Sequence, residues 1–367
     1  MRRKISAFIS AFLIVLLIVA AAGFAGCQKK ESIAQENTNN AENADDSEEA
    51  DEVDPKVEYA YRDIICDRSL TEGKMACYFF RSNYLRPRPN AVSTSGDATL
   101  LIAPDGTTML IDTNLPSVGG RLVDYLNRLG ISKLDYVMLS HTDLDHIGGL
   151  DVLMNYMDIG QILINEAPNY SQITGRAGRS IAAAQEKGIT ITRLHAGMNL
   201  DFGGVHMETL WPAADFSWTP PDNSASTTAT TINSGCLVVK FTYKKASFLF
   251  AGDIYVKQED ELLDQYGEAI QADIIKMSHH GLTTSNGERW IVGTKAKLFC
   301  GMVSTIKETE VLMRYMYHDI PFTYSILDGT ALVYTSGDGV YDVQVEKERD
   351  NDYFGMLDTK NGHFQIK

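Results

Sequence analysis

Short apolar runs recur along this 367-residue chain, and several stop abruptly at histidine or aspartate. Residues 74–80 read as a first strand, followed by a proline-containing loop over 81–95. Two β-rich runs, 96–103 and 107–112, flank Pro104-Asp105-Gly106 and predict a hairpin. Both runs are apolar enough to be covered on both faces. Leu122, Val123, Leu126 and Leu129 fall at helical spacing before Gly130, so 118–129 predicts an amphipathic helix. A strand at 134–140, a helix opening near His146, a strand at 161–164 and a helix at 173–187 follow. Short strands are expected at 189–194 and 205–211, then a Pro/Ser/Thr-rich loop over 212–231 that carries Trp218. A second hairpin spans 237–243 and 247–251, before a helix at 256–266 and a strand at 273–277. Helix-like and strand-like segments alternate from 290 to 345. Hairpins in two halves, with helices between them, predict an α+β architecture: two mixed β-sheets packed together and flanked by helices.

The N-terminus departs from this pattern. Arg2, Arg3 and Lys4 precede an almost uncharged stretch over 5–26, the charged and apolar regions of an export signal. It ends in Phe24-Ala25-Gly26-Cys27, which resembles the bacterial lipoprotein signal, where the cysteine is lipidated and becomes the new N-terminus. The long apolar stretch also fits an uncleaved single-span anchor. Either reading places the rest of the chain outside the cytoplasmic membrane and tethered to it. Residues 28–57 hold ten acids and three lysines with little apolar bulk, the composition of a solvated, disordered tether. The expected organisation is a signal peptide over 1–27, an acidic tether over 28–57 and a folded domain over 58–367. The formal charge is -15, and the 58–367 body keeps -11. Such a body gives no electrostatic help in gathering nucleic acid. Cys66 and Cys77 are close enough in sequence to form a disulfide in an oxidising exterior, whereas Cys236 and Cys300 lie in apolar runs and read as buried thiols. The chain has no Cys-x-x-Cys pair, which argues against a thiolate zinc site.

The densest chemistry lies in Ser140-His141-Thr142-Asp143-Leu144-Asp145-His146, followed by Ile147-Gly148-Gly149. Two imidazoles and two carboxylates leave the end of a strand together, and an extended loop can point them at one or two neighbouring cations. Two further strand ends carry Asp253 and Ser278-His279-His280-Gly281. Four of the eight histidines sit at such ends, and a sandwich would bring these ends to one edge. His195, His206, His318 and His363 lack such company and read as surface or strand residues.

These motifs resemble the metallo-β-lactamase superfamily, which implies an αββα four-layer sandwich. His141, Asp145 and His146 match its first motif, with Asp143 where the second histidine usually stands. Asp253 matches the metal-bridging aspartate, and His280 the final ligand. The Ser-His-x-Asp-x-Asp-His-x-Gly-Gly loop, the upstream Gly96-Asp97-Ala98-Thr99-Leu100-Leu101-Ile102 and the downstream Ser-His-His-Gly are similar to the hydrolase domain of the DNA-uptake channel ComEC and its stand-alone relatives. The similarity covers roughly 75–345, with Asn233 in place of the third-motif histidine.

The resemblance implies two divalent metal ions, manganese or zinc, sharing a bridging hydroxide. His141, Asp143 and Asn233 are assigned to one ion, Asp145, His146 and His280 to the other, and Asp253 to both. Carboxylate and amide in place of imidazole harden the site and favour manganese. Asp145 and His279 are the catalytic candidates, His279 as proton donor or substrate contact. Asp112 is expected to hold a ligand histidine from behind, Asp97 to structure its loop, and 283–285 to touch phosphate or cap a helix. The expected function is a lipid-anchored, extracytoplasmic phosphodiesterase acting on nucleic acid or a phosphorylated envelope polymer. The alternatives are a phosphocholine or wall-polymer phosphoesterase, and a non-catalytic metal-binding module in DNA uptake or envelope assembly. No protein partner is inferable.

Overall fold

The computed structural model describes residues 63–81, 96–165, 175–216, 231–303, 308–347 and 362–367. The expected signal with Cys27, the expected acidic tether and Trp218 lie outside the described residues. In chain order the strands are β1 (Met75–Phe79), β2 (Thr99–Ile102), β3 (Thr108–Ile111), β4 (Lys133–Leu139), β5 (Asp158–Asn165), β6 (Thr190–Leu194), β7 (Asn199–Phe202) and β8 (Val205–Trp211). They continue as β9 (Val238–Tyr243), β10 (Ala246–Phe250), β11 (Ile274–Lys276), β12 (Leu298–Gly301), β13 (Phe322–Tyr324), β14 (Ala331–Thr335), β15 (Tyr341–Val345) and β16 (His363–Ile366).

One sheet runs β16-β15-β14-β1-β2-β3-β4-β5-β6, and the other β13-β12-β11-β10-β9-β8-β7. Each is antiparallel in one half and parallel in the other. β1, β2 and β3 pair antiparallel, while β3 to β6 are parallel. β7 to β10 pair antiparallel, while β10 to β13 are parallel. Parallel neighbours end side by side, so the C-terminal ends of β3 and β4 are adjacent, and so are those of β10 and β11.

Side-chain alternation explains the layers. On β1, Met75, Cys77 and Phe79 face the space between the sheets, where Val239, Phe241, Phe248 and Phe250 meet them. Ala76 and Tyr78 face the other way, toward the helices Gly119–Arg128, Leu150–Tyr156 and Gly175–Glu186. Val238, Leu249 and Phe299 point outward from the second sheet, under the helices Val256–Tyr266, Glu288–Gly293 and Thr309–Tyr317. The result is the expected αββα sandwich. Both hairpins and the helix over 256–266 form where the pattern placed them. β7 was not expected, because its four residues Asn-Leu-Asp-Phe bury one side chain fully and read as loop.

The suggested Cys66–Cys77 disulfide does not form. Cys77 points into the inter-sheet core, whereas Cys66 packs against the layer on the opposite face of that sheet.

Phe248 is fully buried between the sheets, its ring against Tyr341 at 5.7 Å. Phe248→Ala is expected to destabilise the domain by about 3–5 kcal/mol. In urea titrations the midpoint should fall while the slope stays unchanged.

Candidate metal centre

Four loops converge where the parallel strands end. The first leaves β3 at Asp112, and the second leaves β4 at Ser140. The third leaves β10 through Gly252 and Asp253, and the fourth leaves β11 as Ser278 to Gly281. Gly148 and Gly149 permit the closure: a Cβ on Gly149 would strike the Thr113 carbonyl oxygen, and one on Gly148 would meet the backbone of Pro116 at 2.8 Å. Asp112, His279 and His280 adopt left-handed backbone conformations, with φ of 59°, 47° and 53°. Such strain in non-glycine residues persists when surrounding contacts over-determine it.

Each imidazole is fixed through Nδ1. His146 Nδ1 lies 2.8 Å from Asp112 Oδ2, and His280 Nδ1 lies 3.0 Å from Asp97 Oδ1. Ser140 Oγ donates its proton to Asp112 Oδ2 at 2.8 Å. It is therefore left to accept from His141 Nδ1 at 2.9 Å. Donation through Nδ1 leaves a lone pair on each Nε2. What faces these lone pairs is carboxylate. His146 Nε2 lies 3.1 Å from Asp253 Oδ2, and His280 Nε2 lies 3.1 Å from Asp145 Oδ2 and 3.3 Å from Asp253 Oδ2. His141 Nε2 is buried without a hydrogen bond, 3.6 Å from Asp143 Oδ2. Acceptor faces acceptor unless a cation, either a proton or a metal ion, stands between them.

In the metal-free protein, protons fill that role. Burial disfavours charge on His146 and His280. Asp253 opposes that effect at both rings, helped by Asp112 at His146 and Asp97 at His280, and both pKa values rise well above the ordinary one. Burial also works against Asp253, yet His146, His280 and Lys276 hold its carboxyl well below the usual range. His279 differs: burial lowers its pKa despite Asp253, so the ring is neutral near pH 7. It is oriented by Thr284 Oγ1 on Nδ1 at 2.7 Å and by the edge of Tyr255, and its Nε2 lies 3.9 Å from Asp253 Oδ2.

The donor set fits a divalent ion. Ligand atoms of Asp97, His146, Asp253 and His280 lie within 4.8 Å of one another. Asp97 is committed elsewhere, since Oδ1 holds His280 and Oδ2 is paired with Lys276. It backs His280 as Asp112 backs His146. Asp145 and His141 complete the inward-facing donors. Asp143 sits at the start of the Leu144–Ile147 turn, about a third exposed. Asn233 turns its Nδ2 toward Tyr255 Oη at 3.1 Å, and its buried Oδ1 makes no hydrogen bond.

Several contributors were not singled out from sequence. Lys276 is buried against Asp97, Asp253 and the Gly252 carbonyl. Its signal was a lone lysine inside Ile274-Ile275-Lys276-Met277, because such a residue is seldom buried unless paired. In the loop over 283–285, Thr284 orients His279, and Ser285 Oγ donates to the Ile254 carbonyl. His206 is on the surface, paired with Asp201.

Residues 94–214 match the metallo-beta-lactamase superfamily model. The chain is similar to "ComE operon protein 3" of Bacillus subtilis strain 168, with 28% identity over 170 residues, 46% of this chain and 20% of that protein. It is also similar to "Competence protein ComA" of Neisseria gonorrhoeae, with 27% identity over 205 residues, 54% of this chain and 25% of that one. "Recombination protein 2" of Haemophilus influenzae is 28% identical over 198 residues, 53% of this chain and 21% of that protein. The chain thus spans about a fifth to a quarter of the length of these relatives. Among solved structures, the metallo-beta-lactamase fold protein YhfI of Bacillus subtilis aligns with TM-score 0.46 and 11% identity, over 71% of this chain and 99% of YhfI.

The turn bearing His279 and His280 is clasped from behind by Glu259 of the helix Val256–Tyr266. Glu259 accepts from Asn286 N and Gly287 N, each at 2.8 Å, while Asn286 Nδ2 donates to the Ser278 carbonyl at 2.8 Å. Burial pushes the Glu259 carboxyl up to about 7, against an ordinary 4.5. Between these values the unfolded chain has lost the proton that the folded chain keeps, so stability falls as pH rises, and the full cost is present above 7. Glu259→Gln removes this titration. From about pH 5 to about pH 8, wild type should lose roughly 2 kcal/mol relative to the variant. Urea unfolding at both pH values measures the difference, and parallel pH profiles would show that Glu259 does not titrate in this window.

Proposed function

We propose that this chain is an exported, membrane-tethered, metal-dependent hydrolase acting on phosphodiesters. The observation that carries the reading is the opposition of imidazole lone pairs and carboxylate oxygens around Asp253, a donor set that a divalent cation satisfies better than protons do. His141, Asp143 and Asn233 would hold one ion, and Asp145, His146 and His280 a second, with Asp253 shared. The chemistry available from such ions is Lewis acidity, which lowers the pKa of water and offsets charge at a phosphoryl centre.

The chain's own residues do the rest. Asp112 and Asp97 hold His146 and His280 by their Nδ1 atoms, so both rings keep Nε2 inward. His279, neutral and beside Asp253, is placed to hold a phosphate oxygen by a hydrogen bond. The apolar strands behind Ser140 and Gly252 keep bulk water from the inner side of the cluster. The names of the relatives, competence and recombination proteins, support nucleic acid as substrate, and with it a place outside the cytoplasmic membrane. The net charge of -11 over 58–367 favours a second reading, a small phosphocholine ester or wall-polymer phosphoester.

The test uses the full-length chain in detergent, with manganese or zinc, on bis-p-nitrophenyl phosphate, single-stranded DNA and p-nitrophenyl phosphocholine. Asp253→Ala and Asp145→Ala should each abolish metal-dependent turnover. His279→Ala should lower kcat about 100-fold while leaving metal binding intact. Turnover that survives both aspartate substitutions would sink the mechanism. Bound metal without turnover on any substrate would favour a binding module.

A further inference from the structure

The two carboxylates that organise the centre from opposite sheets share one partner. Lys276 ends β11, is 3% exposed, and points its ammonium between Asp97 and Asp253. It pairs with Asp97 Oδ2, lies 3.3 Å from Asp253 Oδ1, and donates to the Gly252 carbonyl at 2.9 Å. Each contact has a consequence for a neighbouring donor. Asp97, held at Oδ2, offers Oδ1 to His280 Nδ1 and so aims the His280 Nε2. Asp253, held at Oδ1, is left with Oδ2 toward His146, His279 and His280. The Gly252 carbonyl that Lys276 holds also accepts from His279 N at 3.1 Å, which ties the third loop to the fourth. A buried ammonium with three acceptors from two sheets has little freedom to move, and replacing it leaves Asp97 a buried carboxylate with less compensation.

We propose that Lys276 is the positioning residue of the metal centre: its ammonium sets the aim of His280 through Asp97 and selects which oxygen of Asp253 faces the histidines. The inference rests on the metal-dependent reading above. It has a sign that distinguishes it from simple electrostatics. A fixed positive charge repels an incoming cation, so a lysine that acted only by its charge would weaken metal binding, and its loss would tighten it. A lysine that builds the donor geometry strengthens binding, and its loss weakens it.

Manganese titration by calorimetry of the full-length chain in detergent, comparing wild type, Lys276→Met and Lys276→Gln, decides between the two. Lys276→Met should bind manganese about 10- to 100-fold more weakly, the range for loss of residues that orient metal ligands. Lys276→Gln, whose amide is one bond shorter and has too few protons for all three acceptors, reads the same sign should the methionine variant fail to fold. Cobalt(II) absorption at saturation supplies a second readout, and the variant's ligand-field bands should shift because His280 and Asp253 are reoriented. Unchanged or tighter manganese binding, or a cobalt spectrum identical to wild type, overturns the proposal. Wild-type protein that binds no divalent ion overturns the metal reading, and this inference with it.

Discussion

The structure depends on lone pairs that face carboxylates. Around Asp253, buried imidazole nitrogens meet buried oxygens at about hydrogen-bond distance with their Nδ1 protons already committed. In water such groups would separate and be solvated individually. Here the sheets hold them together, and an uncompensated carboxylate in so dry a place costs several kcal/mol. The centre therefore demands cations. Protons on His146 and His280 and the ammonium of Lys276 meet the demand when no metal is bound. That residual tension is what gives a divalent ion something to relieve.

The fold accounts for how the tension is sustained. Each sheet changes from antiparallel to parallel partway across, and each parallel half delivers two strand ends to the same place. Behind those ends lies an inter-sheet core of fully buried aromatic and aliphatic side chains, including Phe241, Phe248 and Leu101. Backbone hydrogen bonds then lock the loops to one another. Asp97 N donates to the Asp145 carbonyl, Thr113 N to that of His146, and Leu237 N to that of Ser140. The left-handed residues Asp112, His279 and His280 sit inside this mesh, where the surrounding bonds leave them no relaxed alternative.

Much of this was legible in the sequence, for a local reason. A strand announces itself by an apolar run, and its end by the first polar residue after it, so His141 to His146, Asp253 and His279-His280 stood out as chemistry at strand ends. The hairpins and the helix over 256–266 followed from turn residues and periodicity. Residues whose roles are defined only by distant partners did not stand out. Asp97 reads as a loop aspartate until Lys276 and His280 are brought against it from the other sheet. Glu259 sits in Gln258-Glu259-Asp260-Glu261, which looks like the solvent face of a helix, yet it is fully buried and holds the turn after β11. Cys66 and Cys77 misled for the opposite reason, because closeness in sequence says nothing about which face of a strand a side chain takes.

Charge balance connects the inner and outer parts of the centre. Asp97, Asp112 and Asp253 are each almost fully buried, and Lys276 is the ammonium set among them. Three negative charges against one positive leave a deficit of two, the charge of one divalent ion once the histidines bind as neutral ligands. Asp143 and Asp145 add two more negative charges, but each is about a third exposed and keeps some help from water. The inner deficit is sealed and therefore urgent, while the outer one is partly solvated and mild. This gradient places the stronger demand for a cation among His146, His280 and Asp253, and the weaker one toward His141 and Asp143. It also gives physical content to Asp143, which stands where the superfamily motif has histidine. A neutral imidazole there would remove one of the two outer charges. The carboxylate keeps that charge at the partly solvated edge of the site.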